Sequence, residues 1–268
     1  MTASGDSEVK ASEDSKALSG GGRLRVATYN VHKCVGLDRR VRPARVAAVL
    51  REIDADVCAL QEVVSVESDS PREAHQARFI AGELGFEFRV GENRRHKGGA
   101  YGNVVLTRLP VLGCHNYDIT WRGREPRGAL RVDLKIDAAG AGVLHLFNVH
   151  LGTAFVERRH QGRKLVGESV LRDPKLTGPR VALGDFNEWP RGLASRLLSE
   201  ELRSADPRTH LRTRRTYPGV IPLVHLDHVY HDPALRLERL TLHRSRLALA
   251  ASDHLPLVAD FRLDVNAA

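Results

Sequence analysis

From Leu24 onward, short apolar runs alternate with segments whose apolar residues recur at helical spacing. Leu24–Tyr29 alternates and carries enough β-branched and aromatic side chains for a strand. Arg42-Pro43 opens a helix over Ala44–Ile53, where Val46, Val49, Leu50 and Ile53 share one face. Proline at that start costs little, because a first-turn N–H has no helical partner. Val57–Leu60 reads as a buried strand, and Glu73–Leu84 as a helix stopped by Gly85. Phe86–Val90, Asn103–Thr107, Val111–Tyr117, Ala129–Ile136 and Val143–Val149 follow as strands, with turns at Gly98-Gly99, Leu109-Pro110 and Ala139-Gly140. The pattern then predicts a helix over Val156–Leu171, a strand at Arg180–Leu183 and a helix over Leu193–Leu202. Strands at Leu226–Tyr230, Leu235–His243 and Leu255–Leu263 close the chain. βαβ units mixed with hairpins favour an α/β fold of two sheets with outer helices.

Composition sharpens this picture in three places. Residues 1–22 are Ser, Gly, Ala and mixed charges, too poor in apolar surface to offset ordering entropy, so a disordered tail is expected there and a single domain over 23–268. The chain has 268 residues, 42% of them hydrophobic, enough for one large core. No apolar run approaches the roughly 20 residues that span a bilayer, and the N-terminus has no signal-like apolar stretch, so no stable membrane insertion is expected. Three isolated cysteines, Cys34, Cys58 and Cys114, fit neither a disulfide framework nor a CxxC zinc site, and point to a reducing, cytoplasmic setting. The formal charge is +8; residues 1–22 contribute −2, so the body carries +10. A basic body favours polyanionic partners, the plainer alternative being a solvated basic surface.

The candidate chemistry lies where strands end. Asn30, Glu62, Asn148 with His150, Asp185 with Asn187, Asp227 and Asp253-His254 each sit at or beside a short apolar strand. In open α/β sheets ligands bind at that rim. Singly, an Asp after Gly is a turn or cap residue, a lone Glu a solvated rim charge and a lone His a structural histidine. Together, carboxylate, amide and imidazole groups at six strand ends point to one pocket, which capping does not explain.

The strings Thr28-Tyr29-Asn30-Val31-His32, Leu60-Gln61-Glu62-Val63, Tyr101-Gly102-Asn103 and Phe147-Asn148-Val149-His150 carry a resemblance. Leu183-Gly184-Asp185-Phe186-Asn187, Leu226-Asp227-His228 and Ser252-Asp253-His254 complete it. Over residues 24–261 the chain resembles the endonuclease/exonuclease/phosphatase superfamily. The resemblance implies a four-layer α/β sandwich, two packed mixed β-sheets flanked by helices, with a Mg²⁺ or Mn²⁺ site. It implies Glu62 as the main metal ligand, with Asn30 close by and Asp253 coordinating. Asp185 would orient or deprotonate water, Asn187 would hold nucleophile and phosphate, and His150 and His254 would contact the phosphate, with Asp227 orienting His254. Asn103 would help shape the floor of the site, and Asn148 is a candidate for substrate binding. One departure is His32, where the abasic-site branch has Asp; it is read as a substrate contact or a structural residue. The basic residues Arg94, Arg95, His96 and Lys97, then Arg122, Arg124 and Arg127, read as phosphate contacts or exposed turns, with Arg127 placed before a strand that reaches the site.

The expected activity is divalent-metal-dependent hydrolysis of a phosphate ester by in-line water attack, with nucleic acid as partner and a monomer favoured. The alternatives are a phospholipid or inositol-phosphate hydrolase, and an inactive module that kept the fold.

Overall fold

A computed structural model describes residues 22–66, 72–96, 98–136, 142–189, 192–205, 216–218 and 223–263. The expected tail (apart from Gly22), Lys97 and the Ala139-Gly140 turn lie outside the described residues.

The strands are β1 Arg23–Asn30, β2 Val57–Ser65, β3 Glu87–His96, β4 Gly99–Thr107, β5 Val111–Asp118, β6 Gly128–Lys135, β7 Val143–His150, β8 Arg180–Asp185, β9 Arg203–Ser204, β10 Asp227–His231, β11 Leu235–Leu242 and β12 Leu257–Leu263. The helices are α1 Pro43–Ile53, α2 Gln76–Leu84, α3 Phe155–Leu165, α4 Leu193–Glu201 and α5 Arg246–Ala251. Among the described residues the strands form two six-stranded mixed sheets, β11-β12-β1-β2-β4-β3 and β5-β6-β7-β8-β10-β9. One parallel pair, β1 with β2 and β7 with β8, lies at the centre of each sheet, where a crossover helix is required.

The period-two alternation of the central strands divides the core into three layers. Leu24 and Val26 of β1, Val57 and Ala59 of β2, Leu144 and Leu146 of β7, and Val181 and Leu183 of β8 meet between the sheets. The opposite faces are covered by helices: Tyr29, Cys58 and Leu60 pack with Val46, Leu50, Ile80 and Ala248. Phe147, Val149 and Ala182 pack with Leu165, Ala194 and Leu198. Each large buried aliphatic or aromatic side chain contributes roughly 1.5–3 kcal/mol. The four layers expected from the resemblance are therefore present.

Boundaries differ from the pattern where local bonds override it. The helix expected to reach Leu171 stops at Leu165 because Gly167 breaks the run and the chain continues as tight turns, with Leu171 N–H donating to the Leu165 carbonyl at 3.1 Å. The helix expected from Glu73 starts at Gln76, since the His75 ring accepts the Arg78 N–H at 3.1 Å and caps it; Gly85 then ends it at φ 68°. The strand expected over Phe86–Val90 runs on to His96 by pairing with β4, whose own start moves back to Gly99. The two-residue β9 and six-residue α5 are too short to show a period in sequence. No helix among the described residues is long and apolar enough to cross a membrane.

Candidate active site

The inner rows turn polar at one end of the sandwich. On β1 the row continues from Val26 into Thr28 and Asn30, on β2 from Ala59 into Gln61, on β7 from Leu146 into Asn148 and His150, and on β8 from Leu183 into Asp185. The antiparallel β4 and β10 reach this end from their N-terminal sides, with Asn103 before Val105 and Asp227 before Val229. Strands of both directions thus contribute to this end of the sandwich. Asn30, Asn148, His150 and Asp185 are still within their ladders, Glu62 lies within β2 at a break in the register, and His254 arrives ahead of β12.

Asp185 is the hub. Gly184 places it: at φ 149°, a Cβ there would sit 1.8 Å from the Val149 carbonyl oxygen, so glycine lets β8 approach β7 and sets His150 opposite Asp185. Asp185 Oδ2 accepts from Asn30 Nδ2 at 2.9 Å, and Oδ1 accepts from the Asn187 N–H at 2.9 Å. The Nε2 atoms of His150 and His254 each lie 3.7 Å from Oδ2.

The two imidazoles differ at their other nitrogen. Arg127 Nη1 stands 3.2 Å from His150 Nδ1. A guanidinium only donates, so Nδ1 accepts and the ring proton sits on Nε2. Burial, together with the Arg127 charge, pushes His150 down to about 4. His254 Nδ1 lies 3.1 Å from Asp227 Oδ2. Burial opposes charge on this ring too, but Asp227 and Asp185 outweigh it and raise His254 to about 10. At neutral pH the site therefore holds one neutral and one cationic Nε2–H donor.

Glu62 lies beside them through a β-bulge. The β2–β4 register shifts between Leu60 and Val63, and Glu62 takes φ 58°. Such bulges re-aim a side chain out of strict alternation. Glu62 accepts from Asn30 Nδ2 at 3.3 Å and from Lys33 Nζ at 3.0 Å, and bonds the Tyr101 side chain. Burial pushes its carboxyl up, but His150, Lys33 and these hydrogen bonds bring it to about 2. Asp253 is also held below its usual range: burial acts against this, and the His32 hydrogen bond and the His254 charge prevail. Its Oδ1 lies 3.4 Å from His32 Nδ1.

Among the described residues no three or more His, Cys, Asp and Glu side chains are arranged as a metal cage. Mg²⁺ is held by one or two carboxylates and keeps several waters, so two ionised carboxylates and the Asn30 amide suit it in donor type.

Asn148 and Asn103 are 0% exposed, and their amide nitrogens are spent on backbone carbonyls between the sheets. Asn148 Nδ2 donates to the carbonyls of Leu60 and Val104 at 2.8 and 2.9 Å, across the sandwich, and its Oδ1 accepts from Gln61 Nε2 at 2.7 Å. Asn103 Nδ2 donates to the Gly128 and Asn148 carbonyls at 2.9 and 3.1 Å. They are staples between the sheets beneath the site, because they lie one inner-face step deeper than His150 and Asp185. Asn187 Nδ2 is engaged with the Leu151 carbonyl at 2.9 Å. Arg127 is buried, whereas Arg122 and Arg124 are exposed. Sequence reasoning missed Gln61, Tyr101 and Lys33 as neighbours of the site. For all three the signal was their place beside Glu62, Asn103 and His32 in the sequence.

The model of the family described as "Endonuclease/Exonuclease/phosphatase family" matches residues 27–254. The chain is 31% identical over 249 residues to the uncharacterized protein YbhP of Escherichia coli K12, covering 90% of this chain and 96% of that one. The endonuclease/exonuclease/phosphatase structure from Beutenbergia cavernae superposes with TM-score 0.70 at 25% identity, covering 90% of this chain and 72% of that one. The Bacteroides thetaiotaomicron mannosyl-6-phosphatase Bt3783 does so with TM-score 0.73 at 16% identity, over 89% and 99% of the two chains.

Proposed function

The chain belongs to the endonuclease/exonuclease/phosphatase family, and from that premise we propose that it hydrolyses phosphodiesters of nucleic acid with a divalent metal. Members of the family are phosphoesterase hydrolases. The observation that carries the reading is the pair of Nε2–H donors, one neutral and one cationic, each 3.7 Å from one oxygen of Asp185.

The arrangement supports a division of labour. His254 is protonated and His150 carries its proton on the nitrogen facing the site, so neither ring can accept another at neutral pH. Asp185 is then the group that takes the proton from an attacking water. Asn30 and the Asn187 backbone hold its two oxygens in place for that step. His254 donates to the phosphoryl group as charge builds on its oxygens, and Asp227 keeps that ring charged and oriented. His150 adds a neutral donor from the other side. Glu62, Asn30 and Asp253 would hold the Mg²⁺ or Mn²⁺, which when bound neutralises charge on the phosphate oxygens.

Two features support nucleic acid. The body carries a large positive charge. Trp189 and Phe155 are 61% and 56% exposed, four and five residues beyond Asp185 and His150 on adjacent parallel strands, where bases could stack. A second reading, a phospholipid hydrolase, is favoured by the same exposed apolar side chains with Val156. The test is a screen of plasmid DNA, a phosphodiester, a phosphomonoester and a phospholipid with Mg²⁺, using Asp185→Ala as blank. Plasmid nicking abolished by chelator and by the variant is expected. Release of phosphocholine or of inorganic phosphate without nicking would move the substrate, and no turnover of any ester would end the reading.

A further inference from the structure

Both carboxylates assigned above to the metal are covered by basic side chains from a single turn. Lys33 Nζ is 3.0 Å from Glu62 Oε2, and His32 Nδ1 is 3.4 Å from Asp253 Oδ1. The turn is costly to make. His32, Lys33 and Cys34 are three consecutive non-glycine residues in the left-handed region, at φ 44°, 59° and 57°. Such a conformation persists where its surroundings over-determine it, and they cluster at functional sites.

The surroundings here do over-determine it. Cys34 is buried, and its N–H donates to the Val31 carbonyl at 2.7 Å. Gln76 of α2 then joins the turn to β2. Its Nε2 donates to the Lys33 carbonyl at 2.7 Å, while its Oε1 accepts the Val64 N–H, two residues past Glu62, at 2.9 Å. One buried amide thus fixes the backbone of the ammonium relative to the backbone of the carboxylate. The ion pair itself is reachable, with side chains 32% and 20% exposed.

We propose that Lys33 is the resident counter-ion of Glu62, that a divalent cation displaces it, and that the freed ammonium then binds a phosphate oxygen. The inference rests on Glu62 as a metal ligand. An ammonium and a divalent ion compete for the same carboxylate oxygen. Lys33 therefore lowers metal affinity while keeping Glu62 neutralised before the metal arrives. Once released, its flexible stem carries a point charge suited to phosphate.

The test is direct Mn²⁺ binding by the full chain, followed by electron paramagnetic resonance, for the wild type, Lys33→Gln, Lys33→Asn and Glu62→Gln. Asn tolerates the left-handed region, so agreement of the two Lys33 variants separates lost charge from a damaged turn. Both Lys33 variants are expected to bind Mn²⁺ about fivefold more tightly, the scale of a partly exposed ion pair, and Glu62→Gln to bind it much more weakly. With Mn²⁺ saturating, inorganic phosphate should bind the Lys33 variants several-fold more weakly. Unchanged or weaker Mn²⁺ binding in both Lys33 variants, with Glu62→Gln impaired, overturns this inference alone. Wild-type affinity in Glu62→Gln overturns the metal assignment beneath it. Tighter Mn²⁺ with unchanged phosphate binding overturns the transfer to phosphate.

Discussion

His150 and His254 are the same side chain, buried to a similar degree, at the same distance from the same carboxylate oxygen, and they carry different charges. What separates them is the group at the far ring nitrogen, a guanidinium for one and a carboxylate for the other. Burial alone lowers both rings. Asp227 reverses that for His254, and Arg127 reinforces it for His150. The charge of a buried imidazole is thus a property of its neighbour, and residues that need not touch substrate set the chemistry of those that do.

The largest effect should come from removing the carboxylate the rings share. Asp185→Ala is expected to lower kcat at least about a hundredfold on any ester the enzyme turns over, measured at saturating metal. A rate near wild type would remove Asp185 from the reaction. Asp227→Asn breaks the cationic side of the comparison. It should cost roughly tenfold or more at pH 8. It should also move the alkaline limb of the pH–rate profile from near 10 toward the ordinary histidine range. An unmoved limb would show that His254 owes its charge to something else.

Arg127→Met sharpens the neutral side. Losing the guanidinium leaves burial as the main influence on His150, so its ionisation should rise from about 4 while staying below 6.5. The rate should fall less than in Asp227→Asn. The same two shifts also make stability depend on pH. His150 is depressed when folded, so its contribution is complete above pH 6.5 and fades as pH falls toward 4. His254 is raised, so its contribution is complete below pH 6.5 and fades as pH rises toward 10. Urea unfolding across pH should therefore show a shoulder on each side of 6.5, with the alkaline one missing in Asp227→Asn.

The sandwich was legible because its strands are short apolar runs and its helices carry a 3.6-residue stripe, both local signals. The convergence of Asn30, Glu62, Asp185, Asp227 and His254 was legible from residue type at strand ends. Depth was not. Asn148 and His150 look alike in sequence, two positions apart on one face, yet Asn148 spends its amide tying the sheets together while His150 faces Asp185. Nor was the bulge that turns Glu62 toward the site, since pairing register depends on β4, some 40 residues away. Lys33 stands next to His32 in the sequence, but its place against Glu62 was not legible, because it depends on a left-handed turn built from residues with no glycine among them.

The central claim is that Arg127 and Asp227 hold two adjacent imidazoles in different protonation states. Nitrogen-15 NMR of the histidine rings, with His150 and His254 assigned by substitution, reads this directly. At pH 7 His254 should show two protonated nitrogens and remain so until near pH 10, while His150 should show a proton on Nε2 alone down to near pH 4. Both rings titrating together near pH 6.5 would contradict it.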